Sequence, residues 1–247
     1  LAGHSRRRYL LLIEDLAPRP MGDQIAGCDF DQARRLARDL AHLHASFWGD
    51  ARLEAASHWL PGLNGTPRLA RAVYRRGRSR FLKESASFLP EGFIEAVDWV
   101  YDHIEPVLDA IGTAPCTLLH GDFRLDNLFW DESGTFAVDW QSVARGRGVL
   151  DWSYFVLGSL QESCGEVEEE ALLAEYHASL VASGVSDYDL DRCRRDYDLC
   201  KLAVAYGNVA AAHLIDIEGE RGDELLRLIR HRLSHRLPAP PWDRLLP

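Results

Sequence analysis

The apolar positions of this chain change their spacing several times, and each change predicts an element. "YLLLI", Tyr9 to Ile13, is a continuous apolar run of strand length, ended by the polar and proline-rich "EDLAPRP". From Asp31 onward Leu36, Leu40, Leu43 and Phe47 fall three and four residues apart, with Arg34, Arg35, Arg38 and Asp39 between them. This is the period of an amphipathic helix, which Asp29 or Asp31 can cap. Phe93, Val97, Tyr101, Ile104 and Leu108 repeat the pattern through "EGFIEAVDWVYDHIEPVLDAIG", with a kink expected at Pro106. Residues 116–140 abandon the helical period: "CTLLH", "NLFW" and "FAVDW" are short apolar runs between polar turns, and Asp131 to Gly134 reads as a hairpin loop. Helical spacing resumes after Asp151 in "VEEEALLAEYHASLVASG", which Gly184 ends, and in "DLDRCRRDYDLCKLAVAYGNVAAAHLI". A last helix is expected from about Asp223 to Leu237, before "PAPPW". The fold class is α+β, mostly helical, with a small β island.

Composition narrows the function classes. With 247 residues, 47% of them hydrophobic, the chain can bury one large core or two closely packed subdomains. A formal net charge of -10 repels a phosphate backbone, so no nucleic-acid partner is expected. The five cysteines contain no C-x-x-C pair, which suits a reducing cytoplasm better than a zinc or dithiol site. No run approaches the roughly 18 apolar residues of a membrane span, and "YLLLI" after Arg6, Arg7 and Arg8 is too short for a signal-peptide core. Self-association into a homo-oligomer stays open.

The chemistry concentrates in "LLHGDFRLDNLFW", residues 118–130. His120, Asp122 and Asn127 have the spacing H-x-D-x-x-x-x-N, and Asp139 follows at the end of the next strand, in "FAVDWQ". Phosphoryl transfer needs a carboxylate at the acceptor hydroxyl and hard oxygen ligands for magnesium. Asp122 is the candidate for the first task, and Asn127 and Asp139 for the second. His120 belongs to the same catalytic set as a hydrogen-bonding brace rather than a proton carrier. A polar surface hairpin would also contain Asp, Arg and Asn, but it does not account for the ordered coincidence of motif, strand and strand-end Asp.

These segments, together with "GRGVLDWSYF", "YLLLIEDL" and "LARDLAHLHASFWG", resemble the aminoglycoside phosphotransferase and choline kinase superfamily, in particular its ecdysteroid-kinase-like branch, over most of residues 9–160. The resemblance implies a protein-kinase-like fold using ATP and Mg2+ on a small-molecule substrate bearing a hydroxyl. It makes Asp122 the catalytic base, Asn127 and Asp139 the metal ligands, and Asp151 a buried carboxylate supporting the catalytic loop. Glu14, Asp15 and Leu16 become the hinge that grips adenine. Residues 1–16 are then the last strand of an N-terminal lobe plus hinge. Residues 17–247 are a C-terminal lobe, with helices over about 31–112, the catalytic island at 116–140 and helices over about 151–237. Gly121 stands where protein kinases carry an arginine that answers an activation-loop phosphate, which favours a small-molecule kinase. The family's glycine-rich loop and strand lysine find no match, since the two lysines, Lys83 and Lys201, both follow the hinge. With the initial Leu1, this leads us to expect a fragment lacking the N-terminal lobe. The competing reading is a catalytically silent kinase-like binding module.

Other features admit a plain reading beside a functional one. Residues 68–83 hold seven basic side chains and no acid, which suits an anionic acceptor or a solvated helix. His231 and His235 have metal-ligand spacing without a third ligand, so surface histidines are expected. His42 and His44, two apart on a helix, point to different faces, and a packing or surface role is expected. Trp140 and Trp152 could wall a substrate pocket or sit in the core, and Arg145 and Arg147 could reach a phosphate or belong to a loop. The acceptor itself is not written in the sequence.

Overall fold

A computed structural model describes residues 2–5, 8–113, 115–214 and 219–247. The chain opens with an antiparallel hairpin, β1 (Ala2–Ser5) and β2 (Arg8–Leu11), in which Gly3 pairs Leu10. The first strand expected at Tyr9–Ile13 is therefore shifted: Leu12 and Ile13 lie beyond the pairing and are exposed. Arg6 and Arg7 lie outside the described residues.

Helix α1 (Phe30–Ser46) begins with a capping box. Asp29 accepts the Gln32 amide at 2.9 Å while the Gln32 side chain accepts the Asp29 amide at 3.5 Å, so the cap is Asp29 and Asp31 is a first-turn acid. Leu36 and Leu40 are buried on its inner face. Short α2 (Ala51–Ala55) and α3 (Pro67–Ser85) follow. The expected kink at Pro106 falls instead at His103, which separates α4 (Phe93–Asp102) from α5 (Ile104–Gly112). A proline ring clashes with the carbonyl four residues earlier, here Asp102, so the helix ends there and Pro106 sits harmlessly in the first turn of the next.

The β island is two antiparallel ladders. β3 (Thr117–Leu119) pairs with β6 (Ala144–Gly146), and β4 (Leu128–Asp131) with β5 (Gly134–Ala137). The island thus extends past residue 140, because β6 was not signalled by any alternation. Then come α6 (Val149–Ser159), α7 (Glu166–Ala182), α8 (Leu190–Ala211) and α9 (Glu220–Ser234), the last starting and ending three residues before the expected span.

Helix α8 is the axis of the core, packing on α3, α4 and α6, while α1 packs on α7. Gly77 permits the α3–α8 crossing: a Cβ there would lie 2.1 Å from the Val209 carbonyl oxygen. Trp152 is fully buried and stacks on Phe155 and Tyr176, which places it in the core rather than a cleft. The basic stretch of α3 is met by acids from α4 and α5, through Arg78–Asp98 at 2.8 Å and Arg71–Glu105 at 3.0 Å, and by its own Glu84, 2.8 Å from Arg80. Among the described residues no helix is long and apolar enough to cross a membrane.

Candidate active site

The loop between β3 and β4 is held from below by one carboxylate. Asp151, in the first turn of α6 and 1% exposed, accepts the His120 amide at 2.7 Å and the Gly121 amide at 3.0 Å. His44, fully buried on α1, brings Nε2 to 3.4 Å from the same carboxylate and Nδ1 to 2.8 Å from the Tyr176 hydroxyl. Its own carbonyl accepts the Thr117 hydroxyl at 2.6 Å, so α1 and β3 are stitched together under the loop. Gly121 turns the chain with φ +79°, and a Cβ there would lie 2.1 Å from the Ser142 carbonyl oxygen. No side chain fits there, arginine included.

His120 uses both ring nitrogens. Nδ1 accepts the Asp122 amide at 3.2 Å, so Nε2 carries the hydrogen donated to the Val138 carbonyl at 2.9 Å. This ties the loop to the end of β5. Trp140 packs 4.6 Å from the imidazole and donates to Ala137.

Asp122 is partly exposed and richly supplied with donors. Oδ1 accepts the Tyr154 hydroxyl at 2.8 Å; Oδ2 accepts the Asn127 amide at 2.9 Å and Arg124 Nε at 3.3 Å. Burial, and then the Asp122 charge, push the Tyr154 phenol well above its ordinary range, so it remains a donor. Burial pulls Arg124 down, but the Asp122 and Asp126 charges outweigh it and the guanidinium is held above its usual value. Asp126 is matched by Arg124 at 2.9 Å and by the Gln24 amide at 3.0 Å.

The opposite end of the loop carries the two residues expected as oxygen ligands. Asn127 spends its amide hydrogens on the Asp122 carbonyl and carboxylate, each at 2.9 Å, which leaves Oδ1 as its acceptor atom. The β4–β5 register pairs Leu128 with Ala137, and the Val138 amide donates to Asn127, so the hairpin brings Asp139 to the same end. Asp139 is exposed and is the non-glycine with positive φ, +64°, among the described residues. Its side chain meets Gln141 at 3.4 Å. A left-handed, exposed aspartate is strain without a packing reason. Among the described residues no three His, Cys, Asp or Glu side chains gather to hold a metal. Two hard oxygen donors fit magnesium, which takes few protein ligands and completes its shell with phosphate oxygens and water.

Glu14, Asp15 and Leu16 follow β2 without regular secondary structure, and both acids are exposed. Arg19 anchors the next stretch of chain: it donates to Asp131 at 2.7 Å, reaches Glu14 at 3.4 Å and lies 4.3 Å over the Phe136 ring. The chain then passes along β4 through a Met21–Phe129 bridge, and Gly22 donates to Leu128. The structure therefore joins this segment to the hairpin bearing Asp139.

Sequence reasoning missed two supports and left a third open. His44, expected either to pack or to lie at the surface, is buried, four residues after Leu40 on the inner face of α1. Buried Gln24 donates to Gly158 and accepts from Leu125 and Ser159, and nothing in "MGDQIAG" announces it. Tyr154, three residues after Asp151 on α6, was passed over. Arg147, weighed as a phosphate contact, is buried, donates to the Ala110 carbonyl at 2.6 Å and lies 3.3 Å from the Asp196 carboxylate as an ion pair. Arg145 pairs with Glu54. His231 and His235 stack at 4.3 Å, with Glu162 on His231.

Two cavities of about 380 and 370 Å3 flank Tyr154, with Val204 and Asn208 also common to both. The first is lined by Asp122, the second by Gly121. A larger cleft of about 640 Å3, around Glu169, Lys201 and Arg236, shares no residue with the loop.

The sequence profile of the phosphotransferase enzyme family (APH) matches residues 1–179. A choline/ethanolamine kinase family protein from Mesorhizobium loti aligns over 93% of this chain and 69% of its own, at 12% identity and a TM-score of 0.53. A choline kinase from Cryptosporidium parvum Iowa II aligns over 90% and 68%, at 8% identity and a TM-score of 0.51. At such identities the likeness is one of fold. No curated protein sequence matches the chain.

Proposed function

The chain belongs to the phosphotransferase enzyme family, and we propose that it transfers the γ-phosphate of ATP to the hydroxyl of a small molecule. The observation that supports this most is the loop itself: Asp122 and Asn127 are locked to each other, braced by Asp151, and joined at the far end by Asp139 from the hairpin. Asp122 receives the acceptor hydroxyl, holds it in line and takes its proton as the oxygen bonds to phosphorus and ADP departs. Tyr154 and Arg124 keep the carboxylate oriented. Asn127 Oδ1 and the Asp139 carboxylate are the metal ligands. Magnesium, when bound with the nucleotide, supplies charge neutralisation at the transferring phosphoryl group. His120, with both nitrogens occupied, is a positioning residue, and Asp151 supports it. The backbone of Glu14–Leu16 takes adenine. The motifs "LLHGDFRLDN" and "FAVDWQ" support the ecdysteroid-kinase-like branch, and five unpaired cysteines favour a cytoplasmic setting.

Calorimetric titration with ATP tests this. Saturable binding that needs both magnesium and Asp139 is expected, and Asp139→Ala should abolish it. Asp122→Ala should leave that binding within about threefold while removing turnover, since the base acts on the acceptor rather than the nucleotide. Binding indifferent to magnesium and to Asp139 would favour a silent binding module instead.

A further inference from the structure

We propose that the phosphate acceptor is an uncharged, mostly apolar alcohol, held in the paired cavities on either side of Tyr154. This rests on the kinase reading above and adds the substrate class. Tyr154 is a wall of both cavities; the first is also lined by Asp122, to which the Tyr154 hydroxyl donates, so the first opens on the carboxylate that would receive the acceptor and the second lies behind the same tyrosine. Away from Asp122 the first cavity is walled by Leu157, Leu225, Leu226, Ile229 and Leu233. The second is walled by Val100, Ile104, Val107, Leu108 and Leu150 from α4, α5 and α6.

Charge matching excludes the alternatives. A cation out of water needs a free carboxylate or an aromatic cage. Each carboxylate in these walls is already matched: Asp122 by Tyr154, Asn127 and Arg124, Asp126 by Arg124 and Gln24, and Asp151 by the His120 and Gly121 amides. The aromatic lining is Tyr154 and Tyr206, and Tyr74 covers one face of Tyr206 at 4.6 Å. An anion fares no better, because Arg124 is bound by two aspartates and Arg230 by Glu84 at 2.8 Å.

The test is calorimetry on the 247-residue chain with two probes, 1-adamantanol and choline. Saturable binding of 1-adamantanol is expected, with choline at least about tenfold weaker. Leu226 is half-buried on α9, so its substitution should leave the fold in place; Leu226→Glu should weaken 1-adamantanol by about tenfold or more, and Leu226→Ala by less. Choline binding as tightly as the alcohol, binding of neither probe, or alcohol binding unchanged in both variants would each overturn the proposal. The kinase reading has its own readout in magnesium- and Asp139-dependent ATP binding. Alcohol binding without it would sink that reading alone; ATP binding with choline preferred would sink the acceptor class alone.

Discussion

Asp151 and Asp139 stand at opposite ends of one loop. Asp151 is 1% exposed, accepts two backbone amides and has a buried histidine 3.4 Å away. Asp139 is exposed, held in a left-handed backbone conformation, and touches Gln141 at a long 3.4 Å. The first carboxylate is fully used by the fold; the second is held out at a conformational cost of about 1–3 kcal/mol with nothing in the fold to offset it. Buried interactions thus fix where the loop lies, and in the function proposed above the strained, solvated atoms are the ones kept for what binds there. A side chain's bonding within the protein therefore separates support from ligand better than its residue type does.

The largest expected effect lies at the braced end. Asp151→Ala removes two hydrogen bonds to a charged acceptor, from the buried His120 amide and the part-buried Gly121 amide, and should cost about 2–6 kcal/mol, roughly one to three per bond. Urea denaturation measures it, and Asp151→Asn should recover part of the loss by keeping one acceptor oxygen. A cost below about 1 kcal/mol for the alanine variant would show that water replaces the carboxylate, and the contrast with Asp139 would dissolve. Gly121→Ala comes next. Its Cβ would meet the Ser142 carbonyl at 2.1 Å at a positive φ, so about 2–4 kcal/mol should be lost from strain and overpacking together.

The sequence made one end of this contrast more legible than the other. Helix α1 and the hairpin were written in local periodicity and turn chemistry, and the loop residues in a fixed spacing. Asp151 was expected only through the family resemblance, and the partners around the loop were not, because they come from afar: His44 reaches Asp151 across 107 residues and Gln24 reaches Asp126 across 102. Only tertiary packing decides that one of two helix histidines turns inward. Strand β6 escaped notice for a related reason, since three residues show too little alternation to betray a period. Pro106 was read correctly as incompatible with a continuous helix, but the break was placed at the ring rather than one turn earlier, where the clash occurs.

A smaller effect of opposite sign sharpens the comparison. Asp139→Gly removes the left-handed penalty and should stabilise the chain by about 0.5–1 kcal/mol, the remainder being offset by glycine's greater unfolded-state entropy. The same substitution should abolish magnesium-dependent ATP binding. Greater stability with lost binding is the signature of a residue kept for a ligand; lower stability would mean that Asp139 supports the fold like Asp151.

The smallest effect concerns how the segment after Leu16 is fastened to the hairpin. Asp131 is held down at about 2, first by the Ser133 hydroxyl at 2.5 Å and then by Arg19 at 2.7 Å and the Ser133 amide. Its folded value lies below the ordinary carboxylate value of about 3.9, so its contribution is fully present above that value and fades as pH falls through about 2. The group is open to solvent, so little global stability is at stake; the site's own titration is the sensitive readout. Carboxyl carbon shifts followed by NMR should show Ser133→Ala raising the Asp131 value more than Arg19→Ala does. In Arg19→Ala the serine bonds persist and the carboxyl stays below about 3.9. The reverse order would make the guanidinium the principal hold, and the segment carrying Glu14–Leu16 would then be docked by charge. That docking should weaken as salt screens it, which the serine-dominated arrangement does not predict.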